Sequence, residues 1–153
     1  MTILIAPDKY KGSLDTFALC DAMAEGAIMA NKSIQVIKLP LADGGDGFAK
    51  VLGHYLGTVT ITVATLDATG KPLNASYQWD DVEKTAIIEL AAASGIALLK
   101  KTDQHPMITS TYGTGLMVKH ALENGAQHIM LGLGGSATND GGIGLLAALG
   151  YRF

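Results

Sequence analysis

The residues best equipped for chemistry lie in three glycine-opened segments, each placed where a short apolar run ends. The densest is GLGGSATNDGG, residues 132–142. Glycines let backbone N–H groups approach an anion closely, and the start of a following helix favours negative charge. Gly134, Gly135, Gly141 and Gly142 would open the backbone. Ser136, Thr138 and Asn139 would add short donors, and Asp140 can hold a divalent cation through carboxylate oxygen. A phosphate cradle fits this pattern. So does a glycine-rich tight turn in which Asn or Asp caps the next helix. No Gly-Lys-Ser/Thr closes the segment, so it is not a Walker A loop. Gly132, Gly134 and Ala137 satisfy G-x-G-x-x-A, but the acid that completes a dinucleotide fingerprint about 20 residues on would fall past Phe153.

The second segment is PLADGGDG, residues 40–47, where Asp43 and Asp46 flank Gly44 and Gly45. In open α/β sheets, ligands bind beyond the carboxyl ends of the strands. Phosphoryl transfer needs a divalent cation and often an acceptor for the substrate hydroxyl proton, and an aspartate at a strand end suits either task. A surface Asp-Gly turn is the plain alternative. The third segment, APDKYKGSL at 6–14, carries Asp8, Lys9 and Lys11. A lysine there can hold a phosphate or a carboxylate as a point charge, or stay solvated. Ser94-Gly95 and TSTYGTG at 109–115, including Thr114, are small and polar. They would donate hydrogen bonds to a substrate or cap helices.

The elements that must position these segments alternate. Ile3 to Ala6 reads as a buried strand, followed by a helix from an N-cap at Ser13 to about Ala30, with Leu14, Phe17, Ala18 and Ala22 on one face. Ile34 to Leu39 is a second strand, and Phe48 to Tyr55 a helix closed by Gly57. From Thr58 the character changes. Residues 58–65, 73–79 and 84–90 read as three strands, with Tyr77 and Trp79 in their core. Met117 to Leu122 is helical, His128 to Leu133 a strand, and Ile143 to Leu149 a helix. The expected fold is α/β: a parallel, Rossmann-like core with a β-rich inserted segment. The divisions are 1–57, 58–110 and 111–153. Tyr151 to Phe153 reads as the opening of another strand, so the expectation is of a truncated chain.

Composition narrows the function classes. Charged residues are 16% of the chain, against about 25% in a typical soluble domain. So light a charge covers a surface poorly and points to a partner surface, either another subunit of a homo-oligomer or more of the same chain. The net charge is −3 and no basic stripe occurs, which speaks against nucleic acid. No apolar run approaches the roughly 18 residues of a membrane span, and MTILIAPDKYKGS lacks the basic start of a secretory signal. A cytoplasmic location follows as the default. Cys20 is the only cysteine and reads as a small buried residue. His54, His105, His120 and His128 lack metal-ligand spacing.

Taken together, APDKYKGSL, PLADGGDGF (40–48), ELAAASG (89–95), TSTYGTG and GLGGSATNDGG resemble the N-terminal part of the bacterial glycerate kinase family, in its order and at compatible spacing. Tyr10 stands where phenylalanine is more usual. Family members are more than twice as long, and their C-terminal half carries a further Gly/Asp-rich motif followed by Gly-Lys that nothing here matches. The resemblance implies two α/β lobes with a cleft, the stretch from about Thr58 belonging to the second. It implies transfer of the ATP γ-phosphoryl group to D-glycerate with Mg²⁺. Asp43, then Asp8, would be the base or a metal ligand, with Asp140 and Asp46 as further metal candidates. Lys9 or Lys11 would neutralise charge. Two competing expectations remain: an inactive fragment that binds an anion at most, and a dinucleotide-binding oxidoreductase fragment.

Overall fold

The computed structural model describes Met1–Phe153. The chain divides into two compact units, Met1–Asp43 and Gly44–Phe153. The first is a single β-α-β turn: β1 (Thr2–Ile5), α1 (Thr16–Ala30) and β2 (Gln35–Lys38). The strands are parallel, with Thr2 opposite Gln35 and Ile5 opposite Lys38. Helix α1 starts at Asp15 rather than at Ser13, because the Asp15 carboxylate accepts the Ala18 N–H at 2.8 Å. Ser13 instead closes a turn through its N–H to the Tyr10 carbonyl, 2.9 Å. The buried stripe is Thr16, Leu19, Cys20 and Ala24, not the expected face of Leu14, Phe17, Ala18 and Ala22. Cys20 and Ala24 are small enough to let α1 settle on Ile5, with Ile3 and Val36 at the margin.

The second unit holds a four-stranded sheet in the order β3-β4-β5-β6. Strands β3 (Val59–Leu66), β4 (Pro72–Asp80) and β5 (Thr85–Glu89) run antiparallel. Strand β6 (His128–Gly132) joins β5 in parallel, with Glu89 opposite Gly132. The β-rich stretch from Thr58 therefore shares one sheet with β6. A parallel neighbour requires a crossover, and α3 (Ala91–Ser94) and α4 (Tyr112–Glu123) lie in it. Helix α2 (Phe48–Leu56) packs on β4 and β5.

Strand β5 is buried along almost its whole length because it is covered on both faces. Ala86 and Ile88 join Val63, Tyr77, Met117, Val118 and Ala121 in the core under α4. Ile87, also fully buried, alternates to the other face. Each large apolar side chain so enclosed is worth about 1.5–3 kcal/mol. Tyr77 is core as expected, and Trp79 packs partly buried against the same cluster.

Helix α4 begins five residues before the expected Met117. Two glycines in its first turns argue against helix by propensity, yet they allow close packing. A side chain at Gly113 would run into the Leu66 carbonyl, and one at Gly115 into Leu145. The last helix, α5, spans Ile143–Ala148. Tyr151–Phe153, read as the opening of a strand, carry no regular structure. The Tyr151 N–H ends on the Leu146 carbonyl at 3.1 Å. No helix is long and apolar enough to cross a membrane.

Candidate functional site

Within the second unit, the 44–48 and 132–135 segments lie backbone against backbone. The Gly134 N–H donates to the Gly44 carbonyl at 2.9 Å. A β-carbon on Gly134 would fall 2.5 Å from the Gly45 Cα and 2.8 Å from its nitrogen, and one on Gly132 would meet the Phe48 ring at 2.7 Å. Part of the glycine content therefore serves this contact rather than a ligand. Gly135 differs: its φ is +74°, and a β-carbon there would lie 2.6 Å from Asp46 Oδ1. The half-buried Asp46 carboxylate thus faces the bend at Gly135. Beyond it, the loop is tied down by Ile96 N–H to the Gly135 carbonyl and Ala137 N–H to the Ser94 carbonyl, both 2.9 Å. Ser136 Oγ takes the Thr138 N–H at 3.0 Å and lies 2.8 Å from Thr138 Oγ1. The N–H groups of Gly135, Ser136, Asn139 and Gly141 take no part in the loop's own hydrogen bonds. These four donors are what an anion can claim.

Asp140, expected as a metal ligand, is gripped by protein donors. Its Oδ2 accepts the Thr111 N–H and hydroxyl, both at 2.8 Å, the Gly144 N–H at 3.1 Å and the Ser110 hydroxyl at 3.3 Å. Its Oδ1 accepts the Gly142 N–H at 3.1 Å. Burial pushes the carboxyl pKa up, but the hydrogen bonds from Thr111, Gly142 and Gly144 outweigh it and hold the group below the usual carboxylate range. With four protein donors on Oδ2, Asp140 fastens the end of the glycine loop to the start of α4. Thr111 completes the fastening, since its hydroxyl also accepts the Leu145 N–H at 2.9 Å.

Ser94 and Thr114, expected to touch substrate, are fully buried. Their hydroxyls lie 2.8 Å apart, and Thr114 Oγ1 donates to the Leu90 carbonyl at 3.2 Å. They hold the base of the loop rather than face solvent. Glu89 went unassigned in the sequence. It closes β5 opposite Gly132, and its Oε1 accepts the Ala49 N–H at 2.8 Å in the first turn of α2. One residue thus ties the helix after ADGGDG to the strand that feeds the glycine loop. A carboxylate ending an otherwise apolar strand was the available signal for it. Thr111 left no comparable signal in TSTYGTG.

The first unit brings together Asp8, Lys9 and Asp43. Lys9 Nζ lies 3.8 Å from Asp8 Oδ1 and 3.7 Å from Asp43 Oδ1. The Asp8 carboxylate also takes the Lys9 N–H at 2.6 Å. The loops after β1 and β2 are stitched by the Leu41 N–H to the Pro7 carbonyl, 3.0 Å, and Thr16 Oγ1 donates to the same carbonyl at 2.8 Å. Asp43 remains 71% exposed as a side chain, against 21% for Lys9. Lys11 is exposed and is not drawn into this cluster.

Comparison with known proteins adds a family to this geometry. The model of the Glycerate kinase family matches residues 3–153. The glycerate kinase of Bacillus cereus is 42% identical over all of this chain and 40% of its own length. The glycerate 2-kinase of Escherichia coli K12 is 39% identical over 99% of this chain and 40% of its own. A crystal structure described as glycerate kinase 2 from Salmonella typhimurium LT2 superposes with a TM-score of 0.79 at 39% identity, covering 98% of this chain and 40% of that one. The chain thus spans about 40% of the length of these relatives.

Proposed function

The chain belongs to the glycerate kinase family, and from that premise we propose that it supplies the N-terminal part of an enzyme transferring the ATP γ-phosphoryl group to D-glycerate. The observation that carries this reading is the set of unclaimed N–H donors at Gly135, Ser136, Asn139 and Gly141, held on a loop whose own carboxylate and hydroxyls are already spent on fixing it. Catalysis of phosphoryl transfer rests on positioning and charge stabilisation. The four N–H groups bind phosphate oxygens. Lys9, held between Asp8 and Asp43, neutralises the glycerate carboxylate or a phosphate. Asp43, the most exposed of the cluster, accepts the proton of the attacking hydroxyl. Lys11 is a second, more exposed cation for the same charge.

Mg²⁺ fits the oxygen donors present, with Asp46 ahead of Asp140 as its carboxylate, because Asp46 faces the glycine bend while Asp140 Oδ2 already takes four protein donors. When bound, it screens phosphate charge. Thr138, Gly44, Gly45 and Gly142 shape the loops. An assay coupled to ADP release tests the proposal: turnover must depend on D-glycerate, ATP and Mg²⁺ together. Asp43→Asn should lower it by about 10²–10⁴-fold, the range a general base supplies, without a change in Tm.

The share of the relatives that the chain spans favours one second reading, in which this part binds ATP but needs the remaining length for turnover. ATP binding without ADP release would select that reading. Failure to bind ATP, or tighter binding of NAD, would defeat both.

A further inference from the structure

A pocket lies at the end of the four-stranded sheet away from the glycine loop. The glycine loop 132–142 follows the carboxyl end of β6 at Gly132, beside the end of β5 at Glu89. The pocket, about 360 Å³, is built where β4 turns into β5 and α4 runs out. That volume is at the lower end of the range of small-molecule sites, about 300–1,000 Å³. Its walls are rings: Tyr77 OH lies 3.2 Å from His120 Nδ1, the two rings meet edge to face, and Trp79 stands beside them. Its polar edge is a closed pair of charges. Asp81 Oδ1 accepts from Lys84 Nζ at 2.8 Å and from the Trp79 indole N–H at 3.2 Å, and Lys84 Nζ lies 5.9 Å from the Trp79 ring centre. Asn124 adds an amide at the rim.

Lys84 supplies an independent observation. It is the one non-glycine residue with a positive φ, +48°. A long side chain in the left-handed region is disfavoured where glycine or asparagine would be at ease, and such outliers gather at functional sites. The conformation is fixed from outside, since the Lys84 carbonyl accepts the Gln127 and His128 N–H groups at 2.9 and 3.2 Å. The hairpin needs that backbone shape but does not need a lysine to make it. What the lysine adds is an ammonium beside a carboxylate on the edge of an aromatic pocket.

We propose that this pocket binds a flat, uncharged nitrogen heterocycle of the nucleobase class, its face against Trp79 and His120 and its hydrogen-bonding edge toward Asp81, Lys84 and Asn124. A neighbouring acceptor and donor of opposite charge match a ring edge that presents a donor beside an acceptor. They match a lone anion or cation less well, because each would meet a like charge. The site is independent of the kinase reading and requires no phosphate on the ligand.

Trp79 is the only tryptophan in the chain, so its fluorescence reports this pocket directly. Titration of the chain with adenosine should change that fluorescence saturably, with a Kd tighter than about 1 mM and one site per chain by calorimetry. Inorganic triphosphate should leave it unchanged. Lys84→Gly should weaken adenosine binding at least tenfold while holding or raising Tm, since glycine accepts the backbone shape. Asp81→Asn should weaken it to a similar extent, and it decides the matter should Lys84→Gly fail to fold. No saturable change with adenosine, an equal response to triphosphate, or wild-type affinity in the folded variants would overturn the proposal.

Discussion

Replacing Gly134 by alanine tests whether the two glycine-rich segments are built to meet. The added methyl would sit 2.5 Å from the Gly45 Cα and 2.8 Å from its nitrogen. Both are backbone atoms, so no side chain can swing away. Forcing a carbon into a packed contact costs about 1–3 kcal/mol. Pushing the strands of the contact apart also breaks the 2.9 Å bond from Gly134 N–H to the Gly44 carbonyl, worth about 1 kcal/mol. The sum is about 2–4 kcal/mol, and at about 2–4 °C per kcal/mol for a chain of this size Tm should fall by roughly 4–16 °C. The control is Gly141→Asn in the same loop. Gly141 has φ +59° with open space around it, and asparagine tolerates that conformation, so the loss should stay under about 1 kcal/mol. Thermal melts followed by far-ultraviolet dichroism and by Trp79 fluorescence separate the two variants. Should Gly134→Ala melt with the wild type, or no lower than Gly141→Asn, the loop-on-loop contact is not the reason for glycine at 134.

Asp140→Asn should destabilise the second unit by about 1.5–3 kcal/mol, the worth of a hydrogen bond to a charged group. The Asp140 pKa is depressed in the folded chain. Its contribution is therefore complete above the unfolded value of about 3.9 and drains away as pH falls through the folded value. The gap in Tm between wild type and variant should be constant at neutral pH and close as pH drops below about 4. Glu89→Ala leaves the Ala49 N–H without its acceptor and should cost about 1–3 kcal/mol by chemical denaturation, with Glu89→Gln recovering most of it. Lys9→Met should alter stability by less than about 1 kcal/mol, because its ion pairs are long and partly exposed. In a kinase assay of the family's reaction it should raise the KM for D-glycerate at least tenfold.

The alternation of strands and helices was legible because local pattern decides it. The apolar runs at Ile3, Ile34 and His128 became strands within a residue or two, and Gly57 ended its helix as its type suggests. The start of α1 was not legible, because Ser13 and Asp15 are equally good caps and only the folded chain commits Ser13 to the turn closed on Tyr10. The start of α4 was hidden for the opposite reason: its glycines oppose helix locally and are tolerated for contacts with Leu66 and Leu145. At the site, the glycine loops announced themselves, but the division of labour inside them did not. Gly132 and Gly134 read the same as Gly135 and Gly141 until their neighbours are known. The hydrogen bonds that hold Asp140 were hidden because its donors, Thr111 and Ser110, lie about thirty residues away in sequence. Ser94 and Thr114 read as substrate donors or helix caps because short polar residues beside glycine serve either way, and only the fold turns them toward each other.

The most direct test is to follow the backbone amide signals of the ¹⁵N-labelled chain during titration with ATP and Mg²⁺. The largest shifts should fall on Gly135, Ser136, Asn139 and Gly141, with Gly134 and Ala137, already bonded within the protein, moving less. Saturable binding that leaves those four amides unmoved would contradict a phosphate-gathering role for the loop.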